Sequence, residues 1–245
     1  MYQHRSFYYA KGTTLMLEDS RTIAPIAHIE TDLPTKFGLP RQSGLVSALE
    51  SRLVFEPLYR DPVAFRGLEG YSHLWLIWGF SQNHRDTWAA TVKPPRLGGN
   101  RKMGVFATRS PYRPNALGLS SVRLLAVEQD EKLGIYLRVA GADLMSGTPI
   151  YDIKPYLPFT DSHPEAAAGF AGEVFDYGLE VDFPQPLLEK IPPDKRSALL
   201  GLLAQDPRPA YLDDPTRRYG FNYLNYDVRF TVAGQVLTVV DIVDI

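Results

Sequence analysis

The chain has 245 residues, 44% apolar and 22% charged, enough for one substantial core and a smaller second unit. It contains no cysteine, which excludes a disulfide scaffold, a thiolate zinc site, an iron–sulfur cluster and a cysteine nucleophile and is compatible with a reducing compartment. A net charge of −2 excludes a uniformly basic nucleic-acid binder.

The charge is unevenly spread. Between Asp86 and Glu128 there is no acidic residue, while Lys93, Arg96, Arg101, Lys102, Arg109, Arg113 and Arg123 supply seven of the 26 basic residues, against 28 acids elsewhere. Such asymmetry reads either as a local anion site or as a solvated loop whose charges pair with distant acids. The first thirty residues lack an apolar stretch with a basic start and a small-residue cleavage site, and no later run is long enough to cross a bilayer, so a soluble, cytoplasmic protein is expected.

After an N-terminal extension, residues 1–20, short β-branched and aromatic runs recur between Gly, Pro and Asn clusters. In chain order these predict strands over Ile23 to Ile29, Arg52 to Tyr59, Tyr71 to Phe80, Val105 to Thr108, Leu119 to Val127, Gly134 to Val139 and Pro149 to Ile153. In Gly134 to Val139, Ile135, Leu137 and Val139 alternate with Tyr136 and Arg138, so one face is buried and one wet. Tyr71 to Phe80 is apolar on both faces, as in a central strand covered on each side. His73, at its start, reads as a hydrogen-bonded core residue. No stretch in this half offers the roughly ten helix-periodic residues of a parallel crossover, so the pattern predicts a mainly β fold, a closed or nearly closed antiparallel barrel.

After Pro158 the composition changes, with fourteen acids against seven bases from Asp161 to Ile245, and a domain boundary is placed near Asp161. The expected division is a barrel over residues 21–160 and a small α+β unit over 161–245. Its helix starts at Pro193, carries Leu199, Leu200, Leu202 and Leu203 at helical spacing, and ends at Asp206-Pro207. Two strands, Asn222 to Val232 and Gln235 to Val243, follow, joined across Ala233-Gly234.

No Gly-x-Gly-x-x-Gly, P-loop or His-Glu-x-x-His sequence occurs, and the five histidines are scattered, so no metal is expected. The densest unusual stretch runs from Pro94 to Ser121, PPRLGGNRKMGVFATRSPYRPNALGLSS. In it Gly98 and Gly99 permit close backbone approach, and Pro111 and Pro114 stiffen the chain around Tyr112 and Arg113. Arg109 and Arg113 offer forked donors for a carboxylate or phosphate, and Phe106 and Tyr112 offer flat faces for a base. A rigid surface turn is the competing reading. Pro40 to Gly44 is a polar turn that reads equally as a helix cap, and Asp143 is either a hydrogen-bond acceptor for a ribose or amine or an Asx-turn residue.

Together GLPRQSG (38–44), FRGLEGYSHLWLI (65–77), the stretch just described, DLMSGTPIYDIKPYLP (143–158) and AQDPRPAY (204–211) resemble the TsaA-like, or TrmO, family. Its members methylate threonylcarbamoyladenosine beside the anticodon of tRNA. The resemblance implies a homodimeric β-barrel methyltransferase that binds S-adenosylmethionine without a Rossmann fold and without a metal. By position in the matching motifs it implies cofactor contacts at Gln42, Ser43, Gly44, Ser81, Gln82, Arg109, Leu119, Asp143, Leu144, Met145 and Ser146. Ser81, Ala116 and Ser146 depart from the residues frequent there, a histidine, a proline and an acid or amide.

Methyl transfer to the weakly nucleophilic exocyclic amine needs positioning and a hydrogen-bond acceptor near its N–H to help rehybridise the nitrogen, a role assigned to Asn115 or a backbone carbonyl of the Arg113 to Gly118 loop. Lys93, Arg96, Arg101, Lys102 and Arg113 are expected to meet tRNA, with Tyr112 holding the flipped-out base. A non-catalytic RNA-binding barrel, and a methyltransferase of the same fold with another substrate, stay open as alternatives.

Overall fold

The computed structural model describes residues 21–82, 88–94, 101–174, 178–208 and 214–245. Six strands close on themselves into a ring: β1 (Ala27–Thr31), β2 (Glu50–Phe55), β3 (His73–Gly79), β6 (Leu117–Asp130), β7 (Gly134–Ala140) and β8 (Pro149–Pro155). Around the ring the order is β1-β2-β7-β6-β3-β8, and every neighbouring pair is antiparallel. A two-stranded hairpin, β4 (Thr91–Val92) and β5 (Met103–Gly104), projects between β3 and β6.

Closure depends on the length of β6. Its first half pairs with β3, from Leu117 opposite Gly79 to Arg123 opposite His73, and its second half pairs with β7. A register shift between Leu124 and Ala126 bends it from one partner to the other, as a bulge does. Alternation then fills the ring. Ile135, Leu137 and Val139 point inward with Leu53, Phe55, Leu74, Leu76 and Ile150, while Tyr136 and Arg138 face outward into a charged cluster with Glu128 and Glu50.

Several sequence expectations need correction. Val105 to Thr108 is not a strand but a single 3₁₀ turn over Val105–Ala107. Its carbonyls are taken locally: Thr108 Oγ1 donates to Val105 O at 2.9 Å, and Arg113 Nη1 donates to Thr108 O at 2.6 Å and Val105 O at 3.2 Å. His73 is not a core residue. It starts β3 on the outward side, exposed, with its Nδ1 2.9 Å from Ser72 Oγ. The outer face of β3 is only half-covered, by Tyr156 against Trp75 at 5.6 Å and by Asp161, whose Oδ2 accepts from Trp75 Nε1 at 2.9 Å.

The rest of the chain holds two one-turn helices, α1 (Pro158–Asp161) and α2 (Gln185–Leu188), the longer α3 (Pro193–Ala204), and a four-stranded sheet. The sheet order is β10 (Tyr219–Tyr223), β11 (Tyr226–Ala233), β12 (Val236–Asp244) and β9 (Glu180–Asp182), with β9 parallel to β12. Helix α3 starts at Pro193 as predicted, buries Leu199, Leu202 and Leu203 and leaves Leu200 half-buried; it ends at Ala204, two residues before Asp206, which takes φ 52° ahead of Pro207. The predicted strand Asn222 to Val232 is broken into β10 and β11 by a turn at Leu224, φ 55°. The α3-sheet core also takes in Leu33, Val46 and Leu49 from the first half of the chain, so the two halves share it. Among the described residues no helix is long and apolar enough to cross a membrane.

Candidate active site

Four loops meet where β3 ends and β6 and β8 begin, and they line a cavity of about 430 Å³. Two glycines with positive φ lock two of these loops together: Gly44 (83°) donates its N–H to the carbonyl of Gly141 (82°) at 2.8 Å. A Cβ on Gly141 would lie 3.3 Å from Gly44 Cα, so the close approach needs glycine there. This lock sets Gln42 and Asp143 in the same wall.

Asp143 is half-buried and accepts a 2.6 Å hydrogen bond from Ser120 Oγ, which itself accepts from Trp78 Nε1 at 3.0 Å. Burial pushes the Asp143 carboxyl above its ordinary range, opposed by the Ser120 bond, two backbone N–H groups and the nearby Arg109 charge. The Trp78 indole lies across Gly118, its partner on β6, and a Cβ at Gly118 would come within 2.2 Å of the ring. Phe80 meets Trp78 edge-on with centroids 4.4 Å apart, giving the cavity an aromatic side.

Cations line the cavity as well. Arg109, exposed, donates to Gln42 Oε1, and Gln42 Nε2 donates to the carbonyl of Arg41 at 2.5 Å. Arg41 donates in turn to the Gln205 carbonyl at the end of α3, so the C-terminal unit reaches the cavity wall. Lys36 and Arg113 complete this basic side.

Of the residues expected to contact a cofactor, Gln42, Ser81, Gln82, Arg109, Leu119, Asp143, Leu144 and Met145 line the cavity. Ser43, Gly44 and Ser146 stand behind it: Ser43 Oγ accepts from Ser121 N at 3.2 Å, and Ser146 Oγ accepts from Thr31 N at 3.3 Å. Asn115 is exposed and outside the wall, with its carbonyl accepting from Leu117 N at 2.8 Å. Tyr112 is half-buried beside the wall, its N–H on Ser110 Oγ at 3.3 Å. Arg113 lines the cavity, but its guanidinium is spent on the carbonyls of Val105 and Thr108 rather than presented outward. Lys93, Arg101 and Lys102 are exposed on the β4–β5 hairpin; Arg96, Gly98 and Gly99 lie outside the described residues. Among the described residues no ion pair ties these hairpin cations, Arg109 or Arg113 to an acid.

A family profile for the tRNA-methyltransferase O N-terminal domain matches residues 28–162, and one for the TrmO C-terminal domain matches residues 178–245. The chain belongs to the tRNA-methyltransferase O family. Within and around this family it is similar to the tRNA (adenine(37)-N6)-methyltransferase of Escherichia coli K12, 41% identical over 216 residues, covering 85% of this chain and 92% of that protein. A putative S-adenosylmethionine-dependent methyltransferase, RcsF, of Pseudomonas aeruginosa is 37% identical over 219 residues, covering 86% and 92%. The crystal structure of TrmO from Pseudomonas aeruginosa superposes with a TM-score of 0.73 at 32% identity, covering 91% of this chain and 99% of that one.

For this tRNA-methyltransferase O member, sequence reasoning missed Lys36, Arg41, Trp78 and Phe80 as parts of the cavity wall and Ser120 as the buried partner of Asp143. Trp78-Gly79-Phe80 at the end of an apolar strand was the available signal for the aromatic side. Ser120 had none, because its contact with Asp143 exists only once β6 is in register with β3.

Proposed function

We propose that this chain methylates the exocyclic amine of the adenine at position 37 of tRNA with S-adenosylmethionine as donor, and that the adenine carries a threonylcarbamoyl group. The observation that carries the reading is the cavity itself, where a half-buried carboxylate, an arginine and two aromatic faces converge beside an acid-free basic stretch. Its volume suits a nucleoside-sized molecule.

The donor set fits the cofactor. Asp143 is suited to a ribose hydroxyl or an ammonium group, Arg109 to a carboxylate, and Trp78, Phe80, Leu119 and Met145 to a purine and its apolar neighbours. When bound, S-adenosylmethionine supplies a methyl group already activated by a sulfonium charge. The chain's own part is orientation: the Gly44–Gly141 lock and the Trp78–Ser120–Asp143 series fix the wall before a ligand enters. Asn115 or a backbone carbonyl of the Arg113 to Gly118 loop accepts a hydrogen bond from the amine N–H in this reading, with Tyr112 flanking the base and Lys93, Arg101, Lys102 and Arg96 meeting the RNA backbone. The ring is then the barrel of a non-Rossmann methyltransferase and residues 161–245 its α+β unit, acting as a homodimer in the cytoplasm.

Nucleoside mass spectrometry of tRNA from cells with and without the protein tests the proposal. Loss of a methylated threonylcarbamoyladenosine, restored by the wild-type chain, is the expected result. Unchanged nucleosides, together with no calorimetric binding of S-adenosylmethionine, would leave an RNA-binding module instead.

A further inference from the structure

We propose that Phe106 is a stacking platform for a second unpaired base of the substrate RNA, a neighbour of the adenine that enters the cavity; this rests on the tRNA-methylating reading above. Phe106 is 69% exposed on a short, hydrogen-bonded turn. The turn is held from both ends. Val105 N–H donates to the Ala90 carbonyl at 3.0 Å, and Arg113 binds the carbonyls of Val105 and Thr108. The ring is therefore presented by a rigid backbone, so little conformational entropy is left to lose on binding.

Its surroundings select a nucleobase. Trp88 stacks against Phe106 with centroids 6.1 Å apart and planes inclined by 24°, and the Arg113 guanidinium carbon lies 5.8 Å from the Phe106 centroid. An exposed aromatic ring with a second ring stacked against it and a guanidinium over it combines the stacking and cation–π elements that hold bases without reading their sequence. Phe106 is not part of the cavity wall, whereas Thr108 and Arg109, two and three residues on, are. The base it serves is therefore not the one inside the cavity but one beside its mouth. The β5 strand that leads into the turn follows directly from Arg101 and Lys102, both exposed, with Lys93 at the end of the paired strand β4. A nucleic-acid backbone crossing this hairpin would meet the exposed Lys93, Arg101 and Lys102 on the way to the ring. A second copy of the chain brought face to face through this patch would set cations against cations, which disfavours a two-fold contact here.

The test compares Phe106→Ala and Phe106→Trp with the wild-type chain. Affinity for an anticodon stem-loop RNA is measured by fluorescence anisotropy, and KM and kcat with full-length tRNA. Stacking on one aromatic ring predicts a loss of RNA affinity and a rise in KM of the order of tenfold for the alanine variant, with near-wild-type values for the tryptophan variant. S-adenosylmethionine affinity, followed by calorimetry, stays at the wild-type value in both. The inference is overturned if Phe106→Ala binds RNA as the wild type does, or if the tryptophan variant loses as much as the alanine variant. It is equally overturned if sedimentation shows Phe106→Ala changing the association state at unaltered RNA affinity, since the ring would then cover a second copy. Wild-type protein that bound no tRNA would overturn the parent reading as well; normal methylation by Phe106→Ala would overturn this one alone.

Discussion

Asp143 brings a partly desolvated carboxylate into the candidate site. Its carboxyl is pushed upward chiefly by burial, so keeping it ionised near neutral pH costs folding stability. That cost disappears once the pH falls below the ordinary carboxylate range, where Asp143 is protonated in both the folded and unfolded chain. Asp143→Asn keeps an acceptor for Ser120 Oγ and removes the buried charge. The variant should therefore melt at a higher temperature than wild type at neutral pH, converge with it in acid, and bind S-adenosylmethionine more weakly. A lower neutral-pH melting temperature would show the charge to be fully compensated. Arg109 opposes the shift, so Arg109→Ala should weaken the cofactor complex and move the acid limb of its pH profile to higher pH. An unmoved limb in calorimetric titrations would uncouple the two residues. Asp143 and Arg109 were legible through their positions in the family-like motifs; read alone, Asp143 was as compatible with an Asx turn, and Arg109 stood out only by its acid-free surroundings. Arg113 looked the same as Arg109 but differs in the fold, since its turn left two carbonyls for it to satisfy.

Among elements, the pairing of β3 with β6 builds the aromatic side of the cavity, and its tolerance is narrow. Gly118 sits opposite Trp78, and an added Cβ there would come within 2.2 Å of the indole, forcing the ring or the strand to shift. Trp78 donates to Ser120, which donates to Asp143, so the displacement passes to the carboxylate. Gly118→Ala should cost about 1–3 kcal/mol in urea unfolding, the range for overpacking, and should weaken cofactor binding through the shifted indole. Wild-type stability and affinity in that variant would mean that Trp78 has room to move. Strand existence was readable here from β-branched and aromatic runs, because alternation survives in a ring with one filled face. The reading failed where local hydrogen bonding outcompeted the ladder: Val105 to Thr108 has the composition of a strand, yet its carbonyls bind Arg113 and Thr108. It failed again at Leu224, an apolar residue that turns the chain with positive φ inside a continuous β-like run.

For the whole molecule, composition marked a change of character near Asp161 but not how the residues on either side of it depend on each other, because the contacts are remote in sequence. Leu33, Val46 and Leu49 belong to the core of the α3 sheet, Lys195 pairs with Asp32 at 2.7 Å, and Arg41 reaches the Gln205 carbonyl from the cavity wall. Removing residues 178–245 would therefore expose three buried leucine and valine side chains and take away the support of Arg41. Each such side chain contributes roughly 1.5–3 kcal/mol by burial, comparable in sum with the net stability of a typical domain. A chain ending at residue 177 should consequently aggregate or melt well below the full-length protein. If it stays folded, with the ring's circular dichroism intact, it should still bind S-adenosylmethionine more weakly, because Arg41 also offers the carbonyl that orients Gln42, the acceptor for Arg109. Arg41→Ala in the full chain separates the two effects, since it removes the link to Gln205 while leaving the shared core in place. Equal cofactor affinities for the truncated and full chains would show that the C-terminal unit touches the cavity wall without shaping it.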